Sequence, residues 1–386
     1  MPKHNHFEGA KAMTRIGIVG ASGFVGNRAI EMLQADGFEV VPILRSASSA
    51  NRLTQKDLDY RVANSFDRSS LEAAFQGCDV VIHSILGSPG LIRGSVTPAY
   101  QAAERAGVKR ILYLSSMIVH TSAPAPGTTE ATPPIEQQPF PTHIAKIQAE
   151  RKLLKLRQKG SVEVVIFRPG IVFGPRSRWV TELATQLVQG TAYFINEGRG
   201  ICNSVYVDNL IHAMRLAITA KAADGEAFFV GDRERVTWFD FYRPFAEAFG
   251  VDPHLIPSLP VPDFHHSRKQ QLISAVRESE LVQKMLSLIS NDLKQNLKRI
   301  IPGQNRSVPQ TPETIVAPPK PVVTEMMAIL QQSQYQLPFK KAEKLLGYEP
   351  IVSFEQGCQN SIAWLATSEA FHSYLKSAVK NSCTQF

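Results

Sequence analysis

The chain has 386 residues, of which 44% are hydrophobic, enough for one large α/β domain with an added lobe or for two domains. Its net charge of +8 suits anionic ligands such as phosphorylated cofactors, but the basic residues are scattered, so nucleic-acid binding is not indicated. Four widely separated cysteines without a C-x-x-C pair argue against a metal site and a disulfide framework, and we expect a cytoplasmic protein.

The N-terminal segment does not have the pattern of a signal peptide. Residues 1–13 lack the apolar segment of a signal peptide, and we expect a disordered leader there. No uninterrupted apolar run in the chain reaches the roughly 20 residues that span a bilayer. A transmembrane segment is therefore not predicted, although peripheral contact with a membrane surface is compatible with the composition.

A glycine-rich turn follows the first apolar run. Residues 16–19 are typical of a buried strand, and Gly20-Ala-Ser-Gly-Phe-Val-Gly26 leads at once into an amphipathic helix pattern. The first glycine permits a sharp turn, the second permits close approach of phosphates, and the third lets the helix pack on the strand. The helix N-terminus adds free N–H groups. The motif predicts a dinucleotide site formed by Gly20, Ser22, Gly23, Phe24, Val25 and Gly26.

Strand and helix patterns then alternate along the chain. The predicted strands are 38–44, 58–62, 79–84, 110–116 and 162–167, and the predicted helices include one capped by Ser69, 97–106 and 143–158. Such alternation predicts a Rossmann-type, doubly wound parallel sheet with right-handed crossovers. We assign residues 14–175 to this NAD(P)-binding domain, with parts of 200–235 completing the sheet. Residues 176–386 would form mainly a smaller, substrate-binding lobe.

An inserted segment covers about residues 253–335. Apolar residues between Leu281 and Ile300 recur at helical spacing beside a basic face, and Pro302 to Pro321 is typical of an extended linker. The helix has two interpretations. It either packs its apolar stripe on the lobe, which we favour because most globular helices carry such a stripe, or contacts an anionic membrane or a partner.

Several motifs in one order resemble the extended short-chain dehydrogenases/reductases, in the NAD-dependent epimerase/dehydratase group. Besides the glycine turn they are Asp79-Val-Val-Ile-His83, Gly107-Val-Lys-Arg-Ile-Leu-Tyr-Leu-Ser-Ser116, Phe167-Arg-Pro-Gly-Ile-Val-Phe-Gly-Pro175, Val205-Tyr-Val-Asp-Asn-Leu210 and Lys341-Ala-Glu-Lys-Leu-Leu-Gly-Tyr-Glu-Pro350. The resemblance covers most of residues 14–250 and returns at 336–365. It implies the Rossmann fold, a nicotinamide cofactor and, by analogy, a homodimer.

The resemblance also implies a catalytic set, from which this chain departs. Ser116 takes the serine position and Lys146 the lysine position, but the tyrosine position holds Thr142, whose hydroxyl is far too weak an acid. His143 lies three residues from the lysine and is one candidate replacement, and His120, four residues past the serine, is another. The third alternative is that catalysis is lost and only cofactor binding remains.

Cofactor choice is indicated at the end of the second strand. NAD enzymes place an acidic residue there, whereas this chain has Arg45, whose planar fork can pair with a 2′-phosphate. We therefore predict NADP(H) over NAD(H), the alternative being an arginine that stacks on the adenine or points to solvent. The resemblance implies further cofactor contacts from Asn64 at the adenine and from His83, Ser84, Ile85, Lys146, Pro169, Gly170 and Ile171.

The substrate is less clearly indicated. Relatives acting on nucleotide sugars often place an arginine before the Val-x-Val-Asp segment, where this chain has Asn203-Ser204. Arg176, Arg178 and Arg199 could hold an anionic group instead, or be solvated loop charges. We therefore predict an oxidoreductase or epimerase/dehydratase acting on a hydroxyl or carbonyl of a small molecule, either a nucleotide sugar or a hydrophobic alcohol. The competing hypothesis is a catalytically silent NADP(H)-binding sensor or scaffold.

Overall fold

The computed structural model describes residues 13–55, 58–264 and 319–375. The nine strands of the described ranges, β1 to β9, are Arg15–Val19, Glu39–Leu44, Arg61–Val62, Val80–His83, Arg110–Leu114, Glu163–Pro169, Ile171–Phe173, Ser204–Tyr206 and Ala227–Val230. Seven of them form a parallel sheet in the order β3-β2-β1-β4-β5-β6-β9. The seventh and eighth form a separate two-stranded parallel sheet. The predicted doubly wound parallel sheet is confirmed.

Helices cover both faces of the sheet. In chain order, α1 to α10 of the described residues are Phe24–Ala35, Arg68–Phe75, Pro89–Arg105, Pro141–Arg157, Arg178–Gln189, Val207–Ala217, Trp238–Ala248, Glu325–Leu330, Lys340–Leu346 and Phe354–Thr367. Short 3-10 turns include Ala47–Arg52 and Met117–His120. Among the described residues none of these helices is long and apolar enough to cross a membrane.

The central strands are buried on both faces, which explains their continuous apolar runs. On one face Ile16 and Ile18 pack toward α1 and α6, and on the other Val81 and Ile111 pack toward α2, α3 and α4. Because side chains alternate along a strand, each strand supplies residues to both clusters. The parallel order brings the carboxyl ends of β1, β2, β4, β5 and β6 to one edge, where the predicted site residues lie.

Several predicted boundaries were wrong. Helix α3 begins at Pro89 behind the N-cap Ser88 and continues through Pro98, whereas the sequence placed its start at Thr97, where a proline commonly begins a helix. Helix α2 is capped by Asp67, whose side chain accepts from the Ser69 N–H, and not by Ser69. Residues 1–12 of the predicted leader, the helical pattern at 281–300 and most of the proline-rich stretch fall outside the described residues.

Asn209 ties the C-terminal segment to the sheet. Its amide donates to Asp232 Oδ1 and the Val352 carbonyl, both at 2.8 Å, and its oxygen accepts from the N–H groups of Ile351 and Val352 at 2.8 and 2.9 Å. The Asn209 side chain is fully buried. One side chain on α6 thus satisfies polar groups of Asp232, two residues past β9, and of the segment before α10.

We expect Asn209→Ala to lower the free energy of unfolding by about 3 kcal/mol, since several buried polar groups lose their partners at once. Urea unfolding followed by tryptophan fluorescence measures the change. Asn360→Ala is the matched control, because Asn360 lies at a half-buried position and donates to the Tyr206 hydroxyl at 3.2 Å. Equal losses in the two variants would contradict the role of Asn209.

Candidate active site

The glycine turn packs tightly against the strand ends. Gly20 has φ +89°, and a Cβ there would lie 2.9 Å from the Ser84 carbonyl oxygen. Ser84 is fixed in turn, because its N–H and its hydroxyl both donate to the Val19 carbonyl. A Cβ at Gly26 would lie 2.4 Å from the Gly20 oxygen, so the start of α1 touches the turn directly. These two positions require glycine for the reasons that the motif predicts.

The first turn of α1 suits a pyrophosphate. Its N-cap is Gly23, which has no side chain to occupy the free N–H groups, and the first turn contains no acidic residue. A Cβ at Gly23 would meet within 4 Å only the Gly20 oxygen, at 3.2 Å, so the space in front of the helix stays accessible to a ligand. Phe24 and Val25 pack against the core behind it. The residues present therefore fit a dinucleotide diphosphate.

Hydroxyls and guanidinium groups collect at the carboxyl end of β2. Arg45 is exposed, and Ser46 Oγ lies 2.9 Å from Ser48 Oγ and 3.1 Å from Ser49 Oγ. Arg52 donates from Nη2 to the hydroxyls of Ser49 and Ser22, each at 3.3 Å, and so joins this cluster to the glycine turn.

The sequence reasoning missed Arg52 and the serines. The sequence feature that could have indicated these residues is the run of three serines and a second arginine shortly after Arg45. Asn64 lies just beyond β3, where its side-chain oxygen accepts from the Phe66 N–H at 3.1 Å. The N–H of the preceding residue, Ala63, donates to the Leu44 carbonyl at the end of β2. Asn64 therefore lies at the same edge of the sheet as the end of β2.

Ser116 and Lys146 both lie near the end of β5. Lys146 donates from Nζ to the Leu114 carbonyl at 2.6 Å. Ser116 accepts from the Ile118 N–H at 3.4 Å and donates to the Pro169 carbonyl at 3.4 Å. The structure therefore brings the predicted serine and lysine positions together beside the carboxyl end of β6. A Cβ at Gly170 would lie 1.9 Å from the Asn203 carbonyl oxygen, so Pro169, Gly170 and Ile171 run close against β8.

The lysine ammonium is buried under the sheet edge. Lys146 is 3% exposed, and its Nζ lies 5.2 Å from the centre of the Tyr113 ring. Burial lowers the pKa of Lys146 to about 8, an effect that nearby Glu150 opposes. His83, beside Tyr113 on the same face, has a pKa lowered to about 3 by burial and by the charge of Lys146. The imidazole is therefore neutral next to the lysine.

His143 is held by Gln138, which the sequence reasoning did not identify. The Gln138 amide donates to the carbonyls of Ile118 and Ile135 at 3.0 and 2.7 Å, so its oxygen must face His143 Nδ1, 2.7 Å away. Nδ1 therefore carries the proton. His143 Nε2 is buried and has no hydrogen-bond partner among the residues that the structure describes. Burial lowers the pKa of His143 to about 4.

His120 belongs to a buried ion-pair cluster. Arg168 donates from Nη1 to His120 Nε2 at 3.1 Å, and its Nε and Nη2 bond both oxygens of Glu150 at 2.6 to 3.2 Å. A second bond from Nη1 reaches the Glu130 carbonyl. Burial and the charge of Arg168 lower the pKa of His120 to about 4. The imidazole thus serves as a neutral acceptor for an arginine.

The three arginines considered for an anionic substrate have protein partners. Arg178 bonds Glu182 at 2.5 Å, and Arg199 pairs with Glu197. Arg176 donates to the Thr54 hydroxyl and to the Arg52 carbonyl. Asn203, at the position of the diphosphate-gripping arginine, donates to the Tyr335 carbonyl and accepts from the Leu337 N–H at 2.8 Å. The amide therefore anchors the chain before α9.

The fold and the glycine turn define a dinucleotide-binding protein of the Rossmann type. A model of the "NAD dependent epimerase/dehydratase family" matches residues 16–231, and the chain belongs to this family of extended short-chain dehydrogenases/reductases. The resemblance that the motifs indicated is thereby confirmed.

Individual relatives are distant. The chain is 26% identical over 277 residues to human short-chain dehydrogenase/reductase family 42E member 1, covering 64% of this chain and 69% of that protein. It is 23% identical over 389 residues to 3beta-hydroxysteroid-dehydrogenase/decarboxylase isoform 1 of Arabidopsis thaliana, covering 89% and 78%. The UDP-glucose 4-epimerase of Thermus thermophilus in complex with NAD superposes with a TM-score of 0.63 at 18% identity, covering 92% of this chain and 100% of that structure.

Proposed function

We propose that the protein is an NADP(H)-preferring oxidoreductase that interconverts a hydroxyl and a carbonyl on an uncharged, largely apolar small molecule. The observation that carries this proposal is that Ser116 and Lys146 lie at the same edge of the sheet as the glycine turn. When bound, the nicotinamide supplies the hydride acceptor or donor. Ser116 would orient the substrate oxygen, and Lys146 would hold the nicotinamide ribose.

Preference for a 2′-phosphate is supported by the cluster after β2. Arg45 offers a guanidinium fork, and Arg52 adds a second one among the hydroxyls of Ser46, Ser48 and Ser49. Two cations and several hydroxyl donors suit a phosphate monoester, whereas an NAD site places a carboxylate there.

We expect Arg52→Ala to weaken NADPH binding by about 10- to 100-fold, because charge-assisted hydrogen bonds to the phosphate are lost, and to leave NADH binding nearly unchanged. Calorimetric titration with each nucleotide measures the two affinities. Arg178→Ala is the matched control, since Arg178 is an exposed arginine paired with Glu182 on its own helix. A parallel loss for NADH and NADPH would contradict the phosphate role.

An apolar substrate is supported by the arginine contacts. Arg176, Arg178 and Arg199 are engaged by protein groups, and Asn203 replaces the diphosphate-gripping arginine. Two relatives that match along 89% of the chain are named for 3β-hydroxysteroids, whose ring system is apolar. Both observations favour a secondary alcohol or ketone over a nucleotide sugar.

The test is consumption of NADPH with a panel of apolar ketones and, separately, of keto sugar nucleotides. Turnover confined to the apolar ketones supports the proposal, and turnover confined to the sugar nucleotides overturns the substrate class.

Thr142 favours one other candidate, a silent NADP(H)-binding sensor or scaffold, because the usual acid is missing. NADPH binding without turnover on either panel, restored by Thr142→Tyr, would establish that candidate.

Two further expectations belong to this proposal. By analogy with the family, two helices flanking the sheet would form the interface of a homodimer, which light scattering of the purified protein would detect. The described cysteines Cys78, Cys202 and Cys358 are free and buried, as expected for a protein in a reducing, cytoplasmic compartment. Localisation of a tagged chain tests that expectation.

A further inference from the structure

The proposed oxidation releases a proton from the substrate hydroxyl, and this chain lacks the tyrosine that usually takes it. Thr142 stands in that position, four residues before Lys146 on the same face of α4. A threonine hydroxyl does not ionise near neutral pH, but it can accept one proton while giving up another. The site therefore needs a second group that binds the proton. This inference rests on the proposed function.

Neither histidine is a suitable acceptor for that proton. The lone pair of His120 Nε2 accepts an N–H from Arg168, and an arginine side chain offers no acceptor in return. The proton on His143 Nδ1 is fixed by Gln138, so only the buried Nε2 could take up another. Burial lowers the pKa of His143 to about 4, which makes this nitrogen a weaker base than the similarly buried amine of Lys146.

Lys146 lies at the end of β5 that leads to Ser116, and of the titratable groups gathered there it has the pKa nearest to neutrality. The groups facing it are the Leu114 carbonyl, the Tyr113 ring and the neutral His83, with Glu150 one turn further along α4. Both Glu150 oxygens are bonded by Arg168, so this carboxylate does not pair directly with the ammonium. Burial without a close carboxylate partner destabilises the charged amine and makes its neutral form accessible near physiological pH.

We propose that Lys146 is the terminal proton acceptor and donor of the reaction, and that the Thr142 hydroxyl passes the proton between substrate and lysine. In oxidation the substrate O–H bond breaks and its proton goes to Thr142 Oγ, while the Thr142 hydroxyl proton goes to the neutral Lys146 amine. The substrate carbon gives its hydride to the nicotinamide, and the carbonyl forms. In reduction the ammonium returns the proton by the same path.

Oxidation requires the neutral amine, so its turnover should rise as pH increases through about 8, whereas reduction requires the ammonium and should fall over the same interval. We expect Lys146→Arg to lower turnover by about 100- to 10,000-fold and to abolish this pH step, because a guanidinium does not deprotonate. Thr142→Val should lose a similar factor, and Thr142→Ser should restore most of it. The midpoint of thermal unfolding reports whether each variant is folded.

A measurement without cofactor or substrate separates this proposal from the proposed function. In ¹⁵N-lysine NMR of the full chain, one lysine should titrate near pH 8, and its signal should vanish in Lys146→Arg. It should persist in Lys341→Arg, the matched control, whose Nζ also lies over an aromatic ring, 5.4 Å from the centre of Phe228, but pairs with Glu226.

An ordinary titration of every lysine overturns the proposal, as does a pH step in turnover that survives Lys146→Arg or vanishes in His143→Asn. If the wild-type protein turns over no substrate, the proposed function fails, and the NMR titration alone then decides: a signal near pH 8 that is lost in Lys146→Arg supports the lysine assignment, and its absence overturns it.

Discussion

Glu150→Gln is expected to lower the free energy of unfolding by about 3–5 kcal/mol. The side chains of Glu150 and Arg168 are 3% and 6% exposed and lie 2.6 Å apart between Oε2 and Nη2. Removing the carboxylate charge leaves a buried guanidinium uncompensated, and the neighbouring neutral His120 cannot neutralise it. Urea unfolding of the variant, followed by tryptophan fluorescence, measures the loss.

Two comparisons make this prediction specific. Glu182→Gln removes the partner of Arg178 in an exposed i,i+4 pair and should cost no more than about 0.5 kcal/mol. The double variant Glu150→Leu with Arg168→Met replaces both charges by apolar groups and should recover most of the stability lost in Glu150→Gln. If Glu150→Gln and Glu182→Gln lowered the free energy of unfolding equally, burial would not determine the contribution of the Glu150–Arg168 pair to stability.

Gly26→Ala is expected to weaken NADPH binding by about 100-fold and to destabilise the fold by about 3 kcal/mol. The added Cβ would stand 2.4 Å from the Gly20 oxygen and 2.8 Å from the Ala21 Cα, both backbone atoms that a rotamer change cannot move aside. Helix α1 must then shift from the turn, which would misplace the N–H groups proposed to bind the pyrophosphate. Calorimetric titration and urea unfolding give the two quantities.

The matched control is Gly231→Ala, where the Cβ would have its nearest neighbour at 3.7 Å, an ordinary contact distance. That variant should bind NADPH like the wild type. Gly23→Ala probes the ligand side, because its Cβ meets only the Gly20 oxygen, at 3.2 Å, and projects into the space of the phosphates. It should lose affinity with a smaller loss of stability, and unchanged affinity would contradict the placement of the pyrophosphate.

The glycine turn and the parallel sheet were predictable because both depend on local patterns and on the order of the elements. Residues 16–26 contain the strand, the turn and the helix start, and the alternation of elements fixes which strand ends share an edge. The start of α3 was not predictable, because Ser88 and Pro98 both signal a beginning and only packing in the fold decides between them.

The contacts of the two histidines were beyond prediction from sequence. His120 and Arg168 are 48 residues apart, and the orientation of Gln138 is set by the carbonyls of Ile118 and Ile135. Such partners are defined only once distant segments have folded together, and no spacing rule relates them. The residues after β2 were closer to prediction, since Arg52 follows Arg45 within one short turn.

The most direct test of the proposed oxidoreductase is transfer of deuterium from NADPH labelled at the nicotinamide C4 to an apolar ketone. The product is analysed by mass spectrometry for deuterium on the new carbinol carbon. The account predicts labelled alcohol with the wild-type protein and at least about 100-fold less with Ser116→Ala, since the hydroxyl that orients the substrate oxygen is lost. Tight NADPH binding with no deuterium in any product of the panel would contradict it.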